Sequence, residues 1–323
     1  MTTGRRPVVV GVENSAAGML AVSWAADEAA RHALPLRLVH ASEWPADPAG
    51  AEAAAESSRH DGRLHRAHVF DWSVETYPEA GVPVVRRSWA ERRRAADEAL
   101  LDKARVVAAK RRPDVAVTTA AVDGRPVDVL RVEAREASVL VLGSRRLSAF
   151  TELLTTGSIA VPVSAHAPCP VAVVRGPEPI TGEPPAVVVG VDGSAGCERA
   201  VGYAFETASL RGAGLRAVHV RPPTASMVAA FGSEAEVEEA LIRLGETLAG
   251  WSEKYPDVSV ERVTILGHRV RALADAAAEA LCLVVGSRGM GGFRGMLLGS
   301  VTNGLIHHAP GPLVIVPQGG DAG

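Results

Sequence analysis

The segment Val8-Val-Val-Gly-Val-Glu13 returns as Val187-Val-Val-Gly-Val-Asp192, and Leu36-Arg-Leu-Val-His40 returns as Leu215-Arg-Ala-Val-His219, both displaced by 179 residues. A fixed displacement between matching segments means that the chain builds one unit twice, and this limits its architecture more than any feature of composition. Further along the offset changes. Val139-Leu-Val-Leu-Gly-Ser-Arg145 aligns with residues 282–288 through Gly143 and Gly286 at 143, and His166-Ala-Pro-Cys-Pro aligns with His308-Ala-Pro-Gly-Pro at 142. The fall from 179 to 143 puts 36 additional residues in the first copy between His40 and Asp114. The last step, to 142, adds one residue between Gly143 and His166. Pro177, Pro179, Pro184 and Pro185, interspersed with glycine, have linker chemistry. The reading is a first domain over residues 1–176 with an insertion at about 43–89, a linker over 177–185, and a second domain over 186–318.

Within each copy, short Val/Leu runs alternate with longer Ala-rich segments, as buried parallel strands alternate with crossover helices. In the second copy this predicts strands over 186–191, 215–220, 258–265, 281–285 and 313–316, and helices over 197–210, 234–254 and 270–279. Ser194 is placed to cap the first of these helices. The fold class is α/β: two tandem doubly wound parallel five-stranded sheets, for which 323 residues give enough core. A doubly wound sheet binds ligands beyond the carboxyl ends of its strands, where Asp192, Val220 and Gly286 fall. The last strands, over 171–174 and 313–316, are short, apolar and flanked by proline. Such edges invite pairing, so the two copies are expected to join through them within one chain. Homodimerisation is compatible with the sequence and is not decided by it.

A net charge of -3 and a pI near 6.4 give no field that would gather a polyanion, which argues against nucleic acid as a partner. No segment approaches 18 apolar residues, and the run at 8–12 is too short for a signal or a span, so a cytoplasmic chain with no membrane partner is expected. Cys169, Cys197 and Cys282 are far apart and form no CxxC pair, which suits reduced structural thiols. His60, His65 and His68 lack any accompanying cysteine and are not read as a metal site.

The chemistry concentrates after the fourth strand of the second copy. There Gly286-Ser287-Arg288-Gly289 leads through Gly292 to Gly299-Ser300-Val301-Thr302, a spacing of Gly, two residues, Gly, nine residues, Gly-Ser. Glycines let backbone amides approach a ligand, and a helix starting at Gly299 adds orphan N–H groups and its dipole, a combination that favours phosphate. Ser300 and Thr302 add hydroxyls. No GKS or GKT is present, and the glycines follow the fourth strand, which sets this apart from a P-loop and from a dinucleotide fingerprint.

With Val-Gly-Val-Asp192-Gly193-Ser194 before it and His-Ala-Pro after it, this spacing resembles the universal stress protein family in its ATP-binding branch, over nearly the whole chain twice. The resemblance implies an adenine-nucleotide alpha-hydrolase-like fold and ATP, with magnesium, as the cofactor. It implies that Asp192 accepts from the adenine edge, that Val220 lines the base beside Gly190, and that Gly286 to Gly289 and Gly299 to Val301 hold ribose and phosphates. It also implies a regulator acting in stress survival or dormancy through a protein partner that the sequence does not identify, with no catalytic residue assigned. A slow ATPase or nucleotidyl-transfer enzyme and a nucleotide-free scaffold are the competing functions. The first copy departs from the pattern: Glu13 stands for Asp192, Asn14 for Gly193, Arg146 for Gly289, and Ser148-Ala149 for a Gly-Gly pair. It is read as a degenerate partner of the second.

Overall fold

A computed structural model of the chain describes residues 5–43, 89–144, 159–176, 185–221, 234–289 and 297–319. The first copy runs β1 (Val8–Gly11), α1 (Ala16–Arg31), β2 (Leu36–Ser42), α2 (Trp89–Arg111), β3 (Val117–Asp123), α3 (Pro126–Glu133), β4 (Val139–Gly143), α4 (Ala160–Ser164) and β5 (Val171–Val174). The second repeats it as β6 (Ala186–Gly190), α5 (Ala195–Arg211), β7 (Gly214–Arg221), α6 (Glu234–Lys254), β8 (Val260–Leu266), α7 (Arg269–Ala276), β9 (Cys282–Gly286), α8 (Ser300–His308) and β10 (Leu313–Val316). The helix expected to start at Gly299 is α8, and α4 is its counterpart between the last two strands of the first copy. Both are short, and a parallel strand pair requires such a crossover.

The ten strands among the described residues form one sheet in the order β3-β2-β1-β4-β5-β10-β9-β6-β7-β8. Neighbours are parallel except at the centre, where β5 and β10 pair antiparallel with Val171 opposite Ile315 and Val173 opposite Leu313. The expected edge-to-edge union of the last strands is therefore present. One consequence is that the strands of the two copies run in opposite directions, so their carboxyl ends open at opposite edges of the sheet. Each copy reverses its winding between its first and fourth strands, β1 and β4 or β6 and β9.

Period-2 alternation divides the valines between two apolar layers, one on each face: Val8 and Val10 with Val187 and Val189, Val9 with Val188. Each layer runs through both copies. Across the seam on one face, α1 meets α5. There Arg211 Nη2 lies 3.2 Å from Glu28 Oε2, with both side chains almost fully buried, and the guanidinium sits 5.7 Å from the centre of the Trp24 ring. His32 Nε2 reaches the other oxygen of Glu28 at 3.2 Å. The three cysteines are free and buried, and burial pushes the Cys169 thiol up to about 11. The insertion leaves the carboxyl end of the second strand and carries several aromatics, from which a cover or partner surface at the edge of the first copy is expected; its residues 44–88 lie outside the described residues, as does most of the linker.

Candidate functional site

At the switch point of the second copy, β6 and β9 deliver two turns toward each other. Gly190 closes β6, and a Cβ there would press on Leu273 and Val285 at 3.3 Å. Asp192 and Gly193 follow, the latter at φ 80°, a conformation that glycine adopts without strain. Asp192 Oδ1 accepts from the Ser194 backbone N–H at 3.0 Å and from Ser194 Oγ at 2.6 Å, an Asx-type turn. Ser194 therefore does not cap α5 through its side chain as expected, because its hydroxyl is drawn back to the adjacent carboxylate. Asp192 Oδ2 faces Gly289, where an added Cβ would overlap it.

The second turn is held by backbone bonds. Ser287 N–H donates to the Val316 carbonyl at 2.8 Å, and Gly299 N–H donates to the Ser287 carbonyl at 2.8 Å, bringing the start of α8 against residues 287–289. Gly299 is the N-cap of α8, without any side-chain cap, and Asn303 N–H to the Gly299 carbonyl opens the helix. The amides of Ser300, Val301 and Thr302 precede that bond, as orphan donors do at a helix start. Ser300 and Arg288 are exposed, and Ser287 is buried. Thr302 was expected to offer its hydroxyl outward. It is buried, and its Oγ1 donates to the Gly286 carbonyl at 2.8 Å, so it shapes the turn and does not face out of it. Val220, also buried, lies on β7 in the apolar layer that contains Leu273. Gly292 lies outside the described residues.

The universal stress protein family model matches residues 4–60, 49–175 and 185–317. The chain belongs to the universal stress protein family. Two relatives from Mycobacterium tuberculosis, universal stress proteins Rv2005c and Rv2623, are 35% and 31% identical, each over 96% of this chain and over 97% and 96% of their own. A universal stress protein from Archaeoglobus fulgidus, at 16% identity, shares the fold with a TM-score of 0.62 over 98% of both chains.

In the first half of this universal stress protein the same strand ends are built differently. Ser15 Oγ donates to Glu13 Oε1 and also accepts from Gly18 N–H at 3.0 Å, so here the serine does cap its helix. Gly18 packs so closely on Glu13 that a Cβ would overlap the Glu13 carbonyl oxygen. The longer carboxylate thus folds onto the start of its own helix. Arg146, Ser148 and Ala149 lie outside the described residues. His40 and His219 prove to be bracing groups: each Nδ1 lies 2.8 Å from the carbonyl of the residue after its neighbouring first strand, Val12 or Val191. In the first copy His40 Nε2 also lies 3.3 Å from Asp97 Oδ1, whose other oxygen accepts from Ser42 Oγ at 3.0 Å. Sequence reasoning missed Leu273 and Gln318. The only available signal for Gln318 was its place two residues after β10, where the first copy has Gly176.

Proposed function

We propose that the second half holds one adenine nucleotide, ATP with magnesium, at the carboxyl ends of β6 and β9, and that occupancy regulates binding to a protein partner. The reading is carried by the convergence at Gly289: Asp192 from β6, the turn from β9 and the start of α8 meet where any side chain would collide with the carboxylate. Asp192 Oδ2 is suited to accept from the base edge, while the amides of Gly289 and of residues 300–302 are suited to an anion. Among the described residues no cluster of three His, Cys, Asp or Glu stands ready for a metal. Magnesium, which keeps several of its waters and binds nucleotide phosphates directly, would be held chiefly by phosphate oxygens and water.

Two bonds from Ser194 engage one oxygen of Asp192, and His219 Nδ1 is tied to the Val191 carbonyl, so both side chains help hold the frame of the site, which supports a ligand-holding role over turnover. Three free cysteines suit the reducing cytoplasm, where we place the chain. Among the described residues, no helix is long and apolar enough to cross a membrane. Mass spectrometry of the heat-released supernatant of gently purified protein is expected to find ATP. Protein that carries no nucleotide and takes up none on incubation with magnesium-ATP would refute the reading.

A further inference from the structure

Beyond β10 the chain returns to the turn that follows β9. The Gln318 backbone N–H donates to Ser287 Oγ at 3.3 Å, and its side-chain Nε2 donates to the Arg288 carbonyl at 3.2 Å. Gly299 N–H holds the Ser287 carbonyl from the side of α8. The Arg288 carbonyl and the Gly289 N–H belong to one planar trans peptide, so they point in opposite directions. A donor that fixes the carbonyl therefore fixes the direction of the amide. Glycine at 289 makes this consequential, because without a Cβ the backbone there has the greatest freedom to turn.

The first copy provides an internal comparison. Ser144 N–H donates to the Val174 carbonyl at 2.8 Å, as Ser287 does to Val316, which makes Gly176 the counterpart of Gln318. Glycine has no side chain to brace the turn there, and among the described residues nothing lies within 4 Å of where a Cβ on Gly176 would stand.

We propose that Gln318 is a positioning residue for the phosphates of the bound nucleotide, holding the Arg288–Gly289 peptide so that the Gly289 amide faces them. This rests on the nucleotide reading above. It also ties the site to the centre of the sheet, since Gln318 follows the strand that pairs with β5.

The test uses the full chain with Gln318→Leu, which keeps bulk without a donor, and Gln318→Lys, which restores a donor of similar reach. Calorimetry with magnesium-ATP is expected to show Gln318→Leu binding about threefold to tenfold more weakly, the range for one neutral hydrogen bond. Adenosine, followed by NMR, should bind wild type and Gln318→Leu alike. In the ligand-free chain the order parameter of the Gly289 amide should fall in Gln318→Leu and recover in Gln318→Lys. Equal ATP affinity in wild type and Gln318→Leu, or an equal loss for adenosine and ATP, overturns the proposal. A wild-type chain that binds no ATP refutes the nucleotide reading instead, and the Gly289 order parameter then still decides whether Gln318 fixes that peptide.

Discussion

Replacing Arg211 by leucine isolates what holds the two halves together besides the strand pair. Burial alone would drive the Glu28 carboxyl upward; the hydrogen bond from His32 and the charges of Arg211, His32 and Arg31 outweigh it and hold the group at about 2, against an ordinary 4.5. That displacement corresponds to about 3 kcal/mol of native preference for the carboxylate. Arg211→Leu removes the partner from the other half but leaves His32 and Arg31. The expected cost is therefore about 2–3 kcal/mol, somewhat below the roughly 3–5 kcal/mol for a buried charge stripped of its partner. Losing the guanidinium beside Trp24 adds up to about 1 kcal/mol. Urea unfolding at neutral pH measures the sum. Glu28→Leu combined with Arg211→Leu should recover most of the loss, because no buried charge is then left uncompensated. A single-variant cost under about 1 kcal/mol, or a double variant as unstable as the two singles added, would refute this account of the seam.

His32 has its pKa raised above 6.5, first by its hydrogen bond to Glu28, so its contribution is fully present below 6.5 and is lost as pH rises through the folded value. Stability should decline across that window in the wild-type chain and stay flatter in His32→Gln; parallel profiles would contradict the assignment. Gly289→Ala places a Cβ against Asp192 Oδ2 and is expected to weaken ATP at least about tenfold with little change in unfolding midpoint, the two being read by calorimetry and urea titration. Co-expressed as separate chains, residues 1–176 and 185–323 should co-purify through β5 and β10, and halves that elute separately would show that the antiparallel pair does not suffice.

What the sequence made legible follows from how far apart the deciding residues lie. The repeat and its valine runs located five strands and three helices of the second copy because buried parallel strands are continuously apolar and helices are not; the short proline-flanked β5 and β10 even announced their pairing. Asp192, Gly289 and Gly299 were visible because spacing after a strand is a local signal. The role of Ser194 was misread because two acceptable local bonds compete, one to the helix and one to Asp192, and only geometry decides between them. Thr302 was misread for a similar reason, its direction being fixed by a carbonyl 16 residues away. Glu28 and Arg211 stand 183 residues apart and carry no pattern that would couple them. Gln318 belongs to the same class, a bond between the ends of neighbouring strands whose sequence trace is one unlike residue between the copies.

The central claim is that one chain holds one ATP, and holds it in the second half. Isothermal titration of nucleotide-stripped full-length protein with magnesium-ATP, repeated for Asp192→Ala, Gly289→Arg and Glu13→Ala, tests it most directly. The account predicts about one site per chain, lost in the first two variants and nearly unchanged in Glu13→Ala, since losing two aligned bonds to charged oxygens weakens a site about a hundredfold or more. Two sites of similar affinity, or binding that survives Gly289→Arg and disappears in Glu13→Ala, would contradict it.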